Sequence, residues 1–260
     1  MKHILLHAVV AAVLCLGGFP PGVLAQENDL SSRTDTTSDD FPVPVRDPSP
    51  GSSDYTATIN MNEQEMTMNV TRTVEETDAG WRVTETAAGP MGEVSDTEIL
   101  AKGTLTPIER HTVQGPVEIN LNYSAETVEG SFSMNGQERP VNVDLDQAIF
   151  SDGAGSSVVV SSLPLEEGYD VRYGTFDLMS QQVRPMRLSV TGIEEVTVPA
   201  GTFEAFRVEV GPAGGDPGGS TLWVTTDTFE VAKVETRLPQ MNGALVTSEL
   251  QPDSADGGSD

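Results

Sequence analysis

The chain has 260 residues, with 40 acidic side chains against 14 basic ones, and its formal net charge is −26 at pH 7. No basic run occurs anywhere in the sequence. Such a surface repels nucleic acid and anionic lipid headgroups, because it offers no cluster of cations that could neutralise phosphate groups. The composition therefore excludes nucleic acid as a partner.

The first 25 residues have the pattern of a secretory signal peptide. Lys2 gives a positive start, residues 4–16 are almost all apolar, and small or apolar Val23 and Ala25 precede a cleavage point at Gln26. The apolar stretch is shorter than the roughly 20 residues that cross a bilayer. We therefore expect a cleaved leader, a periplasmic or extracellular location, and no transmembrane segment after cleavage.

The single cysteine, Cys15, raises the alternative of a bacterial lipid anchor. Lipidation needs a small residue just before the cysteine, and Leu14 stands there, so we expect Cys15 to leave with the leader. The mature chain then has no disulfide and no thiolate for catalysis or zinc binding. Because the leader carries Lys2 and no acidic residue, the net charge changes from −26 to −27.

Two explanations of the acidity compete, cation binding and solubility in a salty environment. Acidic residues are scattered along the chain, and only two lysines, Lys102 and Lys233, follow the leader. This pattern favours the second explanation, since carboxylates hold hydration and salt screens their mutual repulsion. We therefore expect a halophilic source.

The halophilic interpretation predicts that added salt stabilises the fold. The midpoint of thermal unfolding is expected to rise between about 0.1 M and 1 M salt, because the Debye length falls from about 10 Å to about 3 Å. Circular dichroism melts at several KCl concentrations measure the shift. A midpoint that does not rise with salt contradicts the interpretation.

Composition divides the mature chain into three parts. Residues 26–53 are rich in Ser, Thr, Asp and Pro, which is typical of a disordered lead-in, and residues 252–260 form a disordered acidic tail. Between them, residues 54–251 are predicted to form one β domain, long enough to bury a core without disulfides. We expect this domain to be a monomer.

Apolar and polar residues alternate with period two through the domain, which is the pattern of half-buried strands. The dipeptide Asn135-Gly136 separates two alternating segments and favours a type I′ hairpin turn. The segments predicted as strands are residues 66–74, 117–123, 128–134, 141–145, 169–178, 186–198, 203–210, 221–226, 231–238 and 244–250.

These patterns predict an all-β fold. The expected architecture is a single antiparallel curved sheet or partly open barrel of about 10–12 strands, with little helix. One short helix is expected near residues 146–150 or 156–162.

The sequence lacks the residues that most catalytic and cofactor sites need. After the leader, His111 is the only histidine and no G-x-S-x-G elbow occurs, so neither a Ser-His-Asp triad nor a zinc site is expected. The glycine-rich segments 153–155 and 214–219 lack the Lys-Ser/Thr of a phosphate-binding loop. We expect no catalytic residue, metal or cofactor. A hydrolase that uses His111 and carboxylate pairs such as Glu194-Glu195 is a third alternative, although neighbouring strand residues point to opposite faces.

The most distinctive region lies between residues 163 and 235. It reads Leu-Pro-Leu followed by Gly, then V-T-V-P-A-G-T-F, then L-W-V and K-V-E. The residues of this motif are Leu163, Pro164, Leu165, Gly168, Gly192, Glu194, Val198, Pro199, Ala200, Gly201, Thr202, Phe203, Trp223, Lys233 and Glu235. On them, the chain resembles a family of exported bacterial domains of unknown function, and it is loosely similar to lipoprotein carriers of the LolA/LolB type.

The resemblance implies an all-β exported domain without known enzyme activity, whose motif residues serve the fold. The carriers hold acyl chains in an apolar trough under a curved sheet, so the looser likeness implies an apolar or amphiphilic ligand. This chain departs from the carriers in showing almost no amphipathic helix to serve as a lid.

Two main hypotheses for the function follow. The leading one is an exported, non-catalytic cell-envelope protein whose curved sheet binds an apolar or amphiphilic ligand, such as a lipid or lipoprotein, or an envelope partner. The alternative is a structural or protein-interaction module with a filled core. A continuous apolar cavity favours the first hypothesis, and a filled core favours the second.

Overall fold

The computed structural model describes residues 41–61, 64–89, 92–215, 218–241 and 243–253. The predicted signal peptide, Cys15 and most of the predicted tail lie outside these residues. The strands are β1 (Gly51–Met61), β2 (Gln64–Glu76), β3 (Trp81–Gly89), β4 (Gly92–Leu100), β5 (Pro107–Gln114), β6 (Val117–Tyr123), β7 (Thr127–Met134), β8 (Gln137–Asp144), β9 (Ile149–Phe150), β10 (Asp170–Asp177), β11 (Gln182–Val198), β12 (Gly201–Pro212), β13 (Gly219–Thr225), β14 (Val231–Leu238) and β15 (Ala244–Leu250). The α-helix of the described part, α1, spans Ser156–Ser162, and a 3₁₀ turn spans Pro239–Met241.

The strands form one sheet made of two meanders. Its hydrogen-bonded order runs from β8 back to β1, then from β15 back to β9. The first and last strands therefore pair at the middle of the sheet, with Tyr55 opposite Leu250. Pairs are antiparallel except β9 with β10, which is parallel. No helix in the described ranges is long and apolar enough to cross a membrane.

The link between β8 and β9 forces the sheet to curve. These strands lie at opposite ends of the 15-stranded order, yet only residues 145–148 join them. A link of this length spans at most about 18 Å, whereas a flat sheet of this size extends over about 65 Å. The two ends therefore lie close together, and Ile149 and Phe176 from one end pack with Ile119 and Val128 from the other. Among the described strands no ladder closes the sheet, because the order begins at β8 and ends at β9.

Buried apolar side chains form three main cores. The first core includes Trp81, Leu100, Phe150, Val158, Val159, Val160, Leu163, Leu165, Leu222 and Val224. The second core includes Tyr55, Met68, Val70, Val198 and Trp223. The third core includes Ile119, Leu121, Val128, Phe132, Ile149 and Phe176. Leu222 and Val224 belong to the first core and Trp223 to the second. Because successive strand residues point to opposite faces, these two cores lie on opposite sides of β13.

The all-β, single-sheet prediction is confirmed, although the sheet has 15 strands instead of about 10–12. The hairpin at Asn135-Gly136 is also confirmed, with φ angles of 54° and 76°, which is type I′ geometry. The helix forms at the second of the two predicted places, Ser156–Ser162. The ten predicted segments do not include β1, β3, β4, β5 and β9. β3 and β4 are rich in Thr, Ser and Glu, so the apolar half of their alternation is weak.

Residues 41–53 of the predicted lead-in are ordered, and residues 26–40 lie outside the described residues. β1 begins at Gly51, and residues 41–48, which we name the strap, lie against the domain. The ring centroids of Phe41 and Phe150 are 4.4 Å apart, and the Val45 N–H donates to the Ser162 carbonyl at 2.9 Å. The Pro- and Asp-rich composition predicted disorder, but contacts with the rest of the domain place the strap.

Candidate functional site

The inward face of β4 and β5 is polar, whereas the neighbouring strands bury apolar residues. Asp96, Glu98, Arg110 and Thr112 are each at most 3 % exposed. Members of each strand are two residues apart and so share a face, and the register places Glu98 opposite Arg110 and Asp96 opposite Thr112. Two residues of the loop before α1 join them. We name this group the charged cluster, and its members are Asp96, Glu98, Arg110, Thr112, Ser151 and Asp152.

The guanidinium of Arg110 lies at the centre of the charged cluster. Its Nε and Nη2 donate to the two carboxylate oxygens of Asp96 at 3.1 and 3.0 Å. Its Nη1 donates to Asp152 Oδ1 at 2.8 Å. The hydroxyl of Thr112 donates to Asp96 Oδ1 at 2.6 Å. The bidentate contact between Arg110 and Asp96 is the strong form of an arginine–carboxylate pair. It therefore holds both side chains rigidly in the interior.

The loop before α1 is bound by the carboxylates of β4. The Ala154 N–H donates to Asp96 Oδ2 at 3.0 Å, and the Gly155 N–H donates to Glu98 Oε2 at 2.6 Å. The hydroxyl of Ser151 donates to the same Glu98 oxygen. Carboxylates at these free N–H groups also complement the partial positive charge of a helix start. The N-terminal end of α1 is thus fixed to the sheet from within.

Gly153 and Gly155 let this loop approach the charged cluster closely. A β-carbon on Gly153 would lie 2.6 Å from Arg110 Cζ and 2.7 Å from Glu98 Oε1, and one on Gly155 would lie 2.8 Å from Glu98 Oε2. These distances are shorter than van der Waals contact, so glycine is required for close approach. The segment lacks a phosphate-binding motif, and its backbone binds the protein's own carboxylates instead.

The charged cluster holds three carboxylates and one cation, so full ionisation would leave excess negative charge in a buried place, which is costly. Burial raises the pKa of Glu98 to about 7, with Arg110 opposing the rise and Asp96 adding to it. Burial also raises the pKa of Asp152 to about 6, again opposed by Arg110, although the Asp152 side chain is 24 % exposed. Glu98 and Asp152 therefore titrate near neutral pH.

Replacing Glu98 by Gln is expected to remove part of the pH dependence of stability. The folded-state pKa of about 7 lies above the ordinary value of 4.5, so ionisation of Glu98 costs stability as pH rises through this window. The cost is at most about 1.4 kcal/mol per pH unit. Gln does not titrate. The free energy of unfolding of E98Q relative to the unmodified chain should therefore rise across the window and level off above it, as measured by urea unfolding.

Glu109→Gln is the matched control for this measurement, because Glu109 lies on the exposed side of β5. It removes the same charge from the same chain without touching the charged cluster. If the free energy of unfolding changes with pH in the same way in E98Q and in E109Q, the raised pKa of Glu98 is wrong.

Three residues of the sequence motif meet around a fourth, Trp223. Its indole N–H donates to Glu194 Oε1 at 2.6 Å. Lys233 lies directly opposite on β14, its Nζ is 5.2 Å from the indole centroid, and it pairs with Glu235 at 3.0 Å. The structure therefore brings Glu194, Trp223, Lys233 and Glu235 into one network at the sheet surface.

The Leu-Pro-Leu part of the motif lies beside α1, away from Trp223. Leu163 and Leu165 belong to the first core, with Pro164 between them. Gly168 has a φ of 84°, a conformation that favours glycine, and its N–H donates to the Val190 carbonyl at 3.1 Å. This part of the motif leads the chain from α1 back into the sheet.

The Pro-Ala-Gly part forms the turn between β11 and β12. Pro199 and Ala200 are its two residues, the Ala200 N–H donates to the Leu250 carbonyl at 3.1 Å, and Gly201 has a φ of 147°.

The other motif residues of this region lie on β11 and β12. Val198 and Phe203 pack in the second core. Thr202 forms a hydrogen bond with Thr197, and Gly192 lies at a register shift between the two strands.

His111 does not meet the buried carboxylates. Its side chain is 51 % exposed and its Nε2 lies 3.8 Å from Glu118. As the neighbour of Arg110 on β5, it points to the opposite face. Within the described ranges, no group of three or more His, Cys, Asp and Glu residues is arranged to hold a metal ion.

Sequence reasoning missed the charged cluster, although a signal exists. Asp96 and Glu98, like Arg110 and Thr112, have the two-residue spacing of a strand face. A strand face made of charged and polar residues is normally expected to face solvent. β5 buries its polar face and exposes its apolar one, because Val113 is 41 % exposed while its neighbours Thr112 and Gln114 are buried.

Comparisons with known proteins give a family but no activity. The chain is similar to the solved structure of the hypothetical lipoprotein YmcC from Escherichia coli K12, with 11 % identity, a TM-score of 0.31, and coverage of 77 % of this chain and 84 % of that one. It is also similar to a protein with a YmcC-like fold from Bacteroides fragilis NCTC 9343, with 11 % identity, a TM-score of 0.29, and coverage of 82 % and 99 %. No curated protein matches the sequence. Residues 54–246 match the family described as protein of unknown function (DUF3108). Because this match spans more than half of the 260 residues, the chain belongs to the DUF3108 family.

Proposed function

We propose that the chain is an exported, non-catalytic protein of the cell envelope whose β domain acts as an interaction module with a filled interior. The observation that carries this proposal is the charged cluster. Each oxygen of Asp96 accepts two hydrogen bonds, and all four donors belong to Arg110, Thr112 or Ala154. Glu98 Oε1 is buried without a hydrogen-bond partner and lies 3.7 Å from Arg110 Nε. The hydrogen bonds of Asp96 are therefore all made within the fold, which is what a structural role requires.

The charged cluster also interrupts the apolar interior. On β4, Leu100 belongs to the first core, and on β6, Ile119 and Leu121 belong to the third. Arg110 and Thr112 of β5 lie between them, opposite Leu121 and Ile119. An acyl chain running from the first core to the third would have to lie along buried charges, which is costly. This favours a filled core over a trough beneath the whole sheet.

Native mass spectrometry tests the proposal. The protein is purified from its own envelope without detergent, and its intact mass is compared with that of the polypeptide alone. The filled-core proposal expects the polypeptide mass. A lipid retained at about one molecule per chain, and recovered by solvent extraction, contradicts it.

A second candidate, a carrier of an apolar ligand, is supported by α1. The sequence predicted almost no helix to serve as a lid, yet Val158, Val159 and Val160 of α1 are buried in the first core. A ligand in this core would have to displace α1. Titration of the full chain with a fluorescent fatty acid separates the candidates, because saturable binding at one site per chain supports the carrier and its absence supports the module.

Export remains part of the proposal and rests on the sequence of the first 25 residues. The mass of the mature chain tests it directly. A chain that begins at Gln26 supports a cleaved leader, and a lipid-modified chain that begins at Cys15 supports the anchor instead. An uncleaved chain beginning at Met1 contradicts export by a cleaved signal.

A further inference from the structure

The two ends of α1 are held by different parts of the molecule. Its N-terminal end is bound by Asp96 and Glu98 from β4, which are buried and lie on a central strand. Its C-terminal end is bound by the strap. Arg46 Nη1 donates to the carbonyls of Ser161 and Leu163 at 2.9 and 2.6 Å. The strap thus satisfies carbonyls that a helix leaves free in its last turn, and it places a cation where the helix dipole is negative.

Pro42 and Pro48 of the strap are buried, whereas the residues between them are exposed or half-buried. The Arg46 guanidinium carbon lies 3.5 Å from the ring centroid of Phe229, in the turn before β14, and Phe41 packs against Phe150. Val43 and Val45 are 69 % and 59 % exposed. The strap belongs to no strand and lies outside residues 54–246, the part that matches the family.

α1 cannot hold its conformation unaided. A helix of 7 residues is far below the length at which isolated helices are stable in water. Its stability therefore comes from the burial of its valines in the first core and from the bonds at its two ends. Local opening begins where bonds are most exposed. The bonds of Asp96 and Glu98 at the N-terminal end are buried, whereas those of Arg46 at the C-terminal end are partly buried. We therefore expect opening to begin at the end bound by the strap, with Leu163 and Leu165 leaving the first core together with it.

We propose that the strap is a latch that keeps α1 closed over the first core. When Arg46 leaves the carbonyls of Ser161 and Leu163, α1 opens from its C-terminal end and exposes apolar side chains. The charged cluster keeps the N-terminal end of α1 attached, so the movement is a hinge at the loop before α1 and leaves the sheet intact. This conformational device is independent of whether the interior carries a ligand.

Hydrogen exchange of the full chain carrying Arg46→Ala tests the latch. Amides of residues 156–165 are expected to exchange at least about tenfold faster than in the unmodified chain, while amides of β11–β13 keep their rates. Binding of the apolar dye ANS is expected to rise in parallel. Arg139→Ala is the control, because Arg139 is exposed on β8. Val45→Pro is a second variant, since it deletes the N–H that bonds to Ser162.

Two results would overturn the latch. One is an unchanged exchange rate in α1 for both variants. The other is an equal acceleration in α1 and the sheet, which would show that the strap contributes only to global stability.

Discussion

Arg110→Met is expected to lower the free energy of unfolding by about 3–5 kcal/mol near neutral pH, because it removes the cation and leaves buried carboxylates uncompensated. Arg110 is 3 % exposed and bonds to both Asp96 and Asp152. The loss should shrink at about pH 5, where protonation of Glu98 and Asp152 relieves the excess negative charge. Urea unfolding at the two pH values measures both effects.

The control for this variant is Arg139→Met, a change of the same charge at an exposed position of β8. It is expected to change stability by less than about 0.5 kcal/mol. If Arg110→Met is unfolded at neutral pH, its recovery of structure at about pH 5 still tests the account. A loss below about 1 kcal/mol, or one that does not depend on pH, would show that the charges are hydrated and the cluster is not buried.

Gly153→Ala is expected to destabilise the fold by about 1–3 kcal/mol, since a methyl group there overlaps Arg110 and Glu98. The distances from the new β-carbon, 2.6 Å to Arg110 Cζ and 2.7 Å to Glu98 Oε1, require the loop or the charged side chains to move. Thermal or urea unfolding measures the loss.

Gly192→Ala is the matched control, because a β-carbon at this position of β11 meets nothing within 4 Å. Its effect is expected to stay within about 0.5 kcal/mol. Equal effects of the two changes would mean that the loop before α1 does not press against the charged cluster.

The charged cluster is better understood as a positioning device than as a source of stability. Buried ion pairs often contribute little net free energy, because desolvation offsets their attraction. Their geometric demands are strict, however, and here Arg110, Asp96 and Glu98 fix the loop before α1 at one place on the sheet. We infer that the cluster determines where α1 lies, whereas the apolar contacts of α1 supply the free energy.

Local features of the fold could be predicted from the sequence. The Asn135-Gly136 turn is specified by two adjacent residues, and β15 was predicted with its observed bounds, 244–250. In both cases the signal is contained within a few residues, namely positive φ at a turn and alternation on a strand facing an apolar core.

The two-residue spacing of polar side chains on β4 and β5 is a local signal, but the assembled site could not be predicted, because it depends on pairing between distant segments. Asp152 lies 42 residues after Arg110 in the chain, and nothing in the local pattern of either residue indicates the other. The inward orientation of Arg110 also reverses the usual rule that the polar face of a strand is exposed. The strap was missed for a similar reason, since its order comes from Phe150, Phe229 and α1 rather than from its own composition.

Amide hydrogen exchange at Ala154 and Gly155 tests the central claim, that the buried carboxylates of Asp96 and Glu98 hold the loop before α1 against the sheet. Both N–H groups donate to carboxylates that are 1 % exposed. We expect protection comparable to that of amides in β4 and β5, and its loss in Arg110→Met at neutral pH. Exchange of these two amides at the rate of an exposed loop in the unmodified chain would contradict the account.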